Sequence, residues 1–276
     1  MPHSIDYVDN AGGTLAHYNM LQRIRDFAAD NGWQILRYNT SQANRELIMK
    51  APGLSGEEEI FMGFRTYQNA DADYYNLAAG VFTGYVAGNG FDTQPGAVIS
   101  GVPAHNNRID YWLTMNGQRM VLAMKVGTPV YETAYIGKFL PYARPTQYPY
   151  PVICAGMLNG AAATRFSDAA HSMPFKGARA NMRMRFNDGT WRQPECYPWN
   201  NNFLTGTTQQ RDTGGIYNPL PVVLSDANGL YGELDGISFI TGFNNAVENT
   251  AGDDQVIIQD VARTGFADYY AMRLDS

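Results

Sequence analysis

Between residues 109 and 126 apolar and polar positions alternate twice, once on either side of Asn116-Gly117. Alternation at every second residue is the period of a strand. Asn-Gly between two such runs predicts a β-hairpin, because both residues of a two-residue turn must take positive φ. That turn predicts Met115 opposite Gln118, Leu113 opposite Met120, Tyr111 opposite Leu122 and Ile109 opposite Met124. One face carries Ile109, Tyr111, Leu113, Met120, Leu122 and Met124 and is expected in a core. The other carries Asp110, Trp112, Thr114, Arg119, Val121, Ala123 and Lys125 and is expected to be mixed and half wet.

The helical period stands out in one place. Met20, Leu21, Ile24, Phe27 and Ala28 form a single apolar stripe, with Gln22, Arg23, Arg25 and Asp26 largely opposite. The pattern predicts a helix over about residues 15–30, with Thr14 as N-cap and Gly32 as stop. Strands are expected at 33–38, 46–51, 57–67 and 73–86, the last with Gly80 and Gly84 marking a bulge or a close backbone approach. Glu57, Glu58 and Glu59 read as a solvated acidic run at a strand entrance. Residues 89–103 read as a linker.

Further strands are expected at 131–139, 220–224, 237–241, 256–258 and within 263–274. Asn187-Asp188-Gly189 predicts a second hairpin between 181–186 and 190–193. Residues 194–215 are polar and rich in Asn and Gly, and read as a long loop of the kind that carries function. The predicted fold is α+β and mainly antiparallel β. A small helix-plus-sheet unit spans 1–96, and a larger sandwich or barrel-like part with long loops spans 97–276.

Residues 140–151 alternate Pro141, Pro145, Pro149 and Pro151 with Tyr142, Tyr148 and Tyr150. Proline fixes φ and lacks a donor, so this stretch is expected to run extended outside any sheet interior. Two readings fit it. Its tyrosines lie against another subunit, since tyrosine offers large contact area at small entropic cost, or the stretch straps the chain's own core.

Charged residues are 17% of the 276 and hydrophobic residues 45%. That is little charge for a surface wholly in water. Contact with other subunits accounts for it, and so does a large β core with Asn, Gln, Thr and Tyr outside. A net charge of −6 and a pI near 5.2 argue against specific nucleic-acid binding. Cys154 and Cys196 match no metal spacing and are expected as buried free thiols rather than a disulfide. No basic-then-apolar leader and no apolar run of membrane-spanning length is present, so neither a signal peptide nor a membrane span is expected.

Chemistry leaves little mark on the pattern. His3, His17, His105 and His171 share no motif with cysteine or carboxylate, and no metal or other cofactor is expected. There is no Gly-x-Ser-x-Gly elbow and no phosphate-binding loop. Acidic pairs occur at Asp71 with Asp73 and at Asp253 with Asp254; a glycosidase needs two carboxylates facing across a cleft, which spacing does not show, and Asp253-Asp254, after Gly252, reads as a polar turn.

Three stretches carry a resemblance. The first is Tyr111-Trp112-Leu113, Asn116-Gly117, Arg119 and Lys125-Val126-Gly127-Thr128. The second runs from Tyr131 to Ala143 and takes in Tyr148-Pro149-Tyr150-Pro151. The third is Tyr231-Gly232-Glu233-Leu234-Asp235-Gly236, with the ending from 263 to 274. Together they resemble uncharacterised virion structural proteins encoded among the tail genes of tailed double-stranded DNA bacteriophages. The resemblance transfers no catalytic residue. It implies a non-enzymatic tail or baseplate component, made in the host bacterial cytoplasm and residing in the virion. Its partners would be copies of itself and other virion proteins. Interface residues are expected at Tyr142, Tyr148, Tyr150, Trp191 and Trp199, with 1–13, 89–103 and 194–215 as candidate arms. The alternatives are a tail-tip receptor or glycan-binding module with Trp191 and Trp199 exposed for stacking, and a head or head–tail junction protein.

Overall fold

The computed structural model describes residues 3–127, 130–143, 152–159, 163, 165–166, 173–175, 182–186, 188–199, 219–240, 248, 254–259 and 269–274. The strands are β1 (His3–Val8), β2 (Gln34–Asn39), β3 (Glu46–Ala51), β4 (Ile60–Asn69), β5 (Tyr74–Phe82), β6 (Val98–Val102), β7 (Ile109–Met115), β8 (Arg119–Lys125), β9 (Tyr131–Lys138) and β10 (Leu140–Pro141). They continue as β11 (Val152–Ala155), β12 (Leu158–Asn159), β13 (Met182–Arg185), β14 (Trp191–Arg192), β15 (Glu195–Tyr197), β16 (Leu220–Asp226), β17 (Gly229–Ile240), β18 (Gln255–Gln259) and β19 (Tyr269–Arg273). The α-helix is α1 (Ala16–Asp30). The fold is α+β and mainly antiparallel, as expected.

Three sheets stack. The central one runs β1-β7-β8-β9-β11-β13-β14; a helix-side sheet runs β12-β6-β5-β4-β3-β2; an outer sheet runs β15-β16-β17-β19-β18, with β10 added on β17. Cys154 Sγ reaches Ala79 O at 3.5 Å and Trp33 Nε1 donates to Asn116 O at 3.0 Å, tying the central sheet to the helix side. Thr133 and Tyr270 share a 2.5 Å hydroxyl bond on its opposite face. The expected division near residue 96 falls just before β6, and pairing of β5 with β6 and of β1 with β7 crosses it.

The stripe of α1 is buried at Met20, Leu21, Ile24 and Ala28. Its end is a Schellman motif: Gly32 sits at φ 81°, Gly32 N–H donates to Ala29 O, and Trp33 N–H donates to Ala28 O. Its start differs from expectation. Leu15, not Thr14, is the cap residue, and the Ala16 N–H is taken by Asn106 Oδ1 at 2.9 Å. A side chain 90 positions away does the work a local cap would do.

The central hairpin forms, with its register moved by two residues. Met115 faces Met120, Leu113 faces Leu122 and Tyr111 faces Met124. Asn116 explains the shift. Its Oδ1 accepts from the N–H groups of Gln118 (2.9 Å) and Arg119 (3.1 Å), and its N–H donates to Arg119 O (3.1 Å). Residues 116–119 therefore turn as a side-chain-closed loop, and Gly117 stays outside the left-handed region. A slip of two leaves every side chain on its predicted face. The second face is not half wet: Trp112, Thr114, Arg119, Val121 and Ala123 are buried beneath the outer sheet.

Other expectations change for the same reason, contact with a distant layer. Residues 3–8, read as part of an arm, form a strand on β7. Residues 89–103, read as a linker and candidate arm, hold a short 3-10 turn at Phe91–Thr93 and then β6. Phe91 packs edge-on to Phe82 at 5.2 Å and covers the outer face of the helix-side sheet with Ile48 and Phe61. Glu58 is not solvated; it pairs with Lys138, both largely buried. Cys154 and Cys196 are free and buried, and burial raises both thiols well above the ordinary range.

Between the central and outer sheets lies a buried charge network. Arg119 is fully buried and donates from Nε to Asp235 Oδ2 at 3.1 Å and from Nη1 to Thr114 Oγ1 at 3.1 Å. Arg273 Nη2 and Asn116 Nδ2 complete the Asp235 carboxylate at 2.7 Å each. Burial alone would raise the Asp235 pKa; Arg119 and Arg273 outweigh it and hold it below the ordinary value. A second polar chain threads α1: His17 Nε2 bonds Gln68 Oε1 (2.8 Å), and Gln68 Nε2 donates to Tyr18 Oη (2.6 Å).

Asp235→Ala leaves Arg119 buried without its counter-charge and is expected to cost about 3–5 kcal/mol in chemical denaturation. The double change Arg119→Met with Asp235→Leu is expected to recover most of that loss; equal loss in both would show that the pair is not coupled. His17, buried, has its pKa lowered to about 4, chiefly by desolvation. The unfolded chain therefore binds the extra proton first. Stability is fully present above about pH 6.5 and falls as pH drops toward 4, by about 3 kcal/mol in total. Denaturation midpoints between pH 7 and 5 should fall for the natural chain and flatten for His17→Gln; parallel curves would remove His17 as the cause.

Candidate interface

Among the expected interface residues, Tyr142 lies against Tyr231, and Trp191 lies on β14 next to Arg192, whose Nη1 donates to the Tyr231 hydroxyl at 3.4 Å. β10 lies on β17 with Leu140 opposite Glu233 and Pro141 opposite Gly232. Only glycine permits this: a Cβ at Gly232 would meet Leu140 O at 2.1 Å. Tyr142 N–H donates to Tyr231 O, and its hydroxyl donates to Glu233 Oε1, both at 2.9 Å. Tyr142 remains 52% exposed, beside Leu140 at 41% and Leu230 at 68%. These are large side chains left open to solvent on or beside neighbouring strands.

The second expected hairpin forms between β13 and β14, with Met184 opposite Arg192 and Arg185 opposite Trp191; Asn187 lies outside the described residues. It carries the second half of the surface. The Tyr231 ring meets Phe186 edge-on at 4.5 Å, and the Arg192 guanidinium lies 4.1 Å over the Phe186 ring. Arg185 lies 5.9 Å over half-buried Trp191. The Tyr231 hydroxyl donates to Asp226 Oδ1, which also accepts from Asn228 N–H. That hydroxyl bond is the main reason the Asp226 pKa lies below its ordinary value. Asp188 is lowered in the same way by Thr190, whose hydroxyl donates at 2.6 Å.

The result is a set of rings and guanidiniums held by fixed carboxylates at one end of the central sheet. Such a surface can stack against planar groups and accept apolar side chains. Among the described residues there is no group of three or more His, Cys, Asp or Glu that could hold a metal ion, and no helix long and apolar enough to cross a membrane. Tyr231, Arg192 and Phe186 escaped the sequence reading. The signals were present, in the turn at 187–189 and in Tyr231-Gly232, but nothing in the pattern says that they meet.

Trp199, expected to be exposed, is buried. It packs at 6.0 Å against Phe175 and at 5.3 Å against Phe239, beneath the outer sheet. A stacking platform built on Trp191 and Trp199 together therefore does not exist within the described chain. Tyr148, Tyr150 and residues 200–215 of the long loop lie outside the described residues.

Tyr231→Phe removes the hydroxyl that stabilises ionised Asp226. The Asp226 carboxyl is expected to titrate closer to its ordinary value, read from carboxyl carbon shifts in NMR; an unchanged titration would assign the lowering elsewhere. No known protein family and no curated protein matches this chain.

Proposed function

We propose that the chain is a non-enzymatic structural component of a tailed bacteriophage virion, a tail or baseplate protein present as a ring or in several copies. One observation carries the reading. Leu140, Tyr142 and Leu230 are exposed on or next to β10 and β17, the strands whose sequence supplies part of the resemblance to tail-gene virion proteins. The low charge supports it as well, since 17% charged residues leaves much of a surface for subunit contact. The tyrosines serve as wide, stiff contacts, and Arg192 and Arg185 add donors around them.

Sedimentation velocity of the purified chain tests the copy number. A multi-subunit species is expected, and Leu230→Glu with Tyr142→Ser should dissolve it; a monomer at all concentrations would overturn the self-assembling ring. A particle reconstruction tests the place. Density in the tail supports the reading, and density at the head or head–tail junction replaces it. Clearing of host cell wall in a zymogram would overturn the non-enzymatic assignment.

A further inference from the structure

We propose that α1 and the rim of the helix-side sheet form a binding site for one small phosphate group, inorganic phosphate or a compact phosphate monoester, held by Arg25 and Arg45. The sheet ends at β2, where Tyr38 lies opposite Leu47 of β3. Leu47 packs in the same core as Met20 and Leu21 of α1, so its face of the strands is the one turned to the helix. Arg45 continues the line of β3, with Thr66 N–H donating to its carbonyl at 2.9 Å. Two residues before Leu47, it shares that face and is the diagonal neighbour of Tyr38, roughly 7–8 Å away. On the helix, Tyr18 and Arg25 are seven positions apart, two turns along one stripe and about 10 Å of axis.

The two layers interlock through these four residues. The Arg45 guanidinium lies 3.8 Å over the Tyr18 ring, and the Arg25 guanidinium lies 4.8 Å over the Tyr38 ring. Each arginine crosses from its own layer to a tyrosine of the other, which leaves Tyr38 between the two cations. Tyr18 is a fixed floor, since its hydroxyl donates to Ala43 O and accepts from Gln68 Nε2, both at 2.6 Å.

The remaining donors are not used up. Nε of Arg25 and Nε of Arg45 are both buried without a hydrogen-bond partner. Among the described residues no carboxylate lies within ion-pair distance of Arg45, and the Tyr38 hydroxyl makes no hydrogen bond. Arg25 meets Asp26 through Nη2 alone, at 2.7 Å, in a solvent-exposed bridge worth little. The neighbouring strand arginines differ, because Arg37 holds Glu46 and Arg65 holds Asp92. In a chain with 26 acidic and 20 basic side chains, a half-buried guanidinium with no counter-charge calls for an anion from outside.

The geometry also selects the anion. A guanidinium offers a planar fork that takes two oxygens at once. One carboxylate fills one fork. A phosphate monoester carries nearly two charges on three free oxygens, enough for two forks and the Tyr38 hydroxyl. The net charge of −6 and the carboxylate of Asp26 work against a long polyanion, so the ligand is small. The site does not rest on the virion reading, whose surface lies across β10, β14 and β17.

The test titrates the full chain at constant ionic strength with inorganic phosphate, glycerol phosphate, acetate and a short single-stranded oligonucleotide, read by NMR. Phosphate and glycerol phosphate are expected to saturate, moving the Nε–H signals of Arg25 and Arg45 and the ring signals of Tyr38. Arg45→Gln should weaken phosphate binding more than about tenfold. Should that variant lose thermal stability, Tyr38→Phe decides, since it keeps the ring under Arg25, removes only the hydroxyl and should weaken binding about threefold. Acetate saturating the same signals as tightly, the oligonucleotide binding more tightly than phosphate, shifts centred elsewhere, or no saturation would each overturn the proposal.

Discussion

The buried Arg119–Asp235 pair sets the geometry on which the rest of the structure depends. Two charges taken out of water lose about as much in hydration as they regain from each other, so the pair adds little net stability. Its effect is positional. Asp235 is fixed in β17 and needs donors at set places. Arg119 supplies them from β8, Asn116 from the turn before β8, and Arg273 from β19. Stacking the outer sheet on the central one in any other register would strand a charge in the core. The backbone is shaped to this demand. A Cβ at Gly236 would meet Arg119 Nη2 at 2.4 Å, and one at Gly137 would meet Gln118 O at 2.3 Å. Both glycines also hold positive φ, at 78° and 116°, which no larger residue adopts without strain.

Net stability comes instead from apolar burial. One core runs from α1 through the helix-side sheet and the central sheet to Leu234, Ile237 and Met272 in the outer sheet. Each fully buried Leu, Ile, Met or Phe contributes roughly 1.5–3 kcal/mol, which far exceeds any single polar contact here. Burial of both faces of the central sheet follows from this. With α1 and one sheet on its first face and another sheet on its second, Thr114 and Thr133 sit in the interior as polar residues with hydroxyl partners. The sequence pattern of β7 and β8 had room for this outcome, because Trp112, Val121 and Ala123 are as apolar as their neighbours.

What the sequence makes legible is what a short window determines. The α1 stripe, the side-chain alternation of the β7–β8 hairpin and the pairing of β13 with β14 are each settled within about fifteen residues, and each forms. What depends on distant partners was hidden. The cap of α1 is Asn106; burial of the second face of β7 and β8 answers to the outer sheet; residues 89–103 fold because Phe91 covers Ile48, Phe61 and Phe82. The candidate interface divides the same way. Tyr142 could be picked out by its proline-rich surroundings and Trp191 by its turn. The approach of Tyr142 to Tyr231 rests on pairing between strands some 90 residues apart, joining Leu140 to Glu233. Trp199 was misplaced because a tryptophan in a polar stretch looks exposed until Phe175 and Phe239 arrive beside it.

A sheet covered on both faces can meet other molecules only along its edges and at the loops that cap its strands. The strand order places β1 at one end of the central sheet and β14 at the other. The two ends are finished differently. At β14 the edge is short and crowded by Phe186, Trp191, Tyr231 and two guanidiniums, so side chains rather than main chain face outward. At β1 the Tyr7 N–H is taken by Asp6 Oδ1 at 2.9 Å, Arg23 reaches that same Asp6, and Arg108 lies 3.8 Å over the Tyr7 ring. The first end presents rings and guanidiniums, and the second presents polar groups already committed to their neighbours. Both ends lie at the rims of a sheet whose centre is locked by the Arg119–Asp235 pair, so side chains can change at either rim without disturbing that pair.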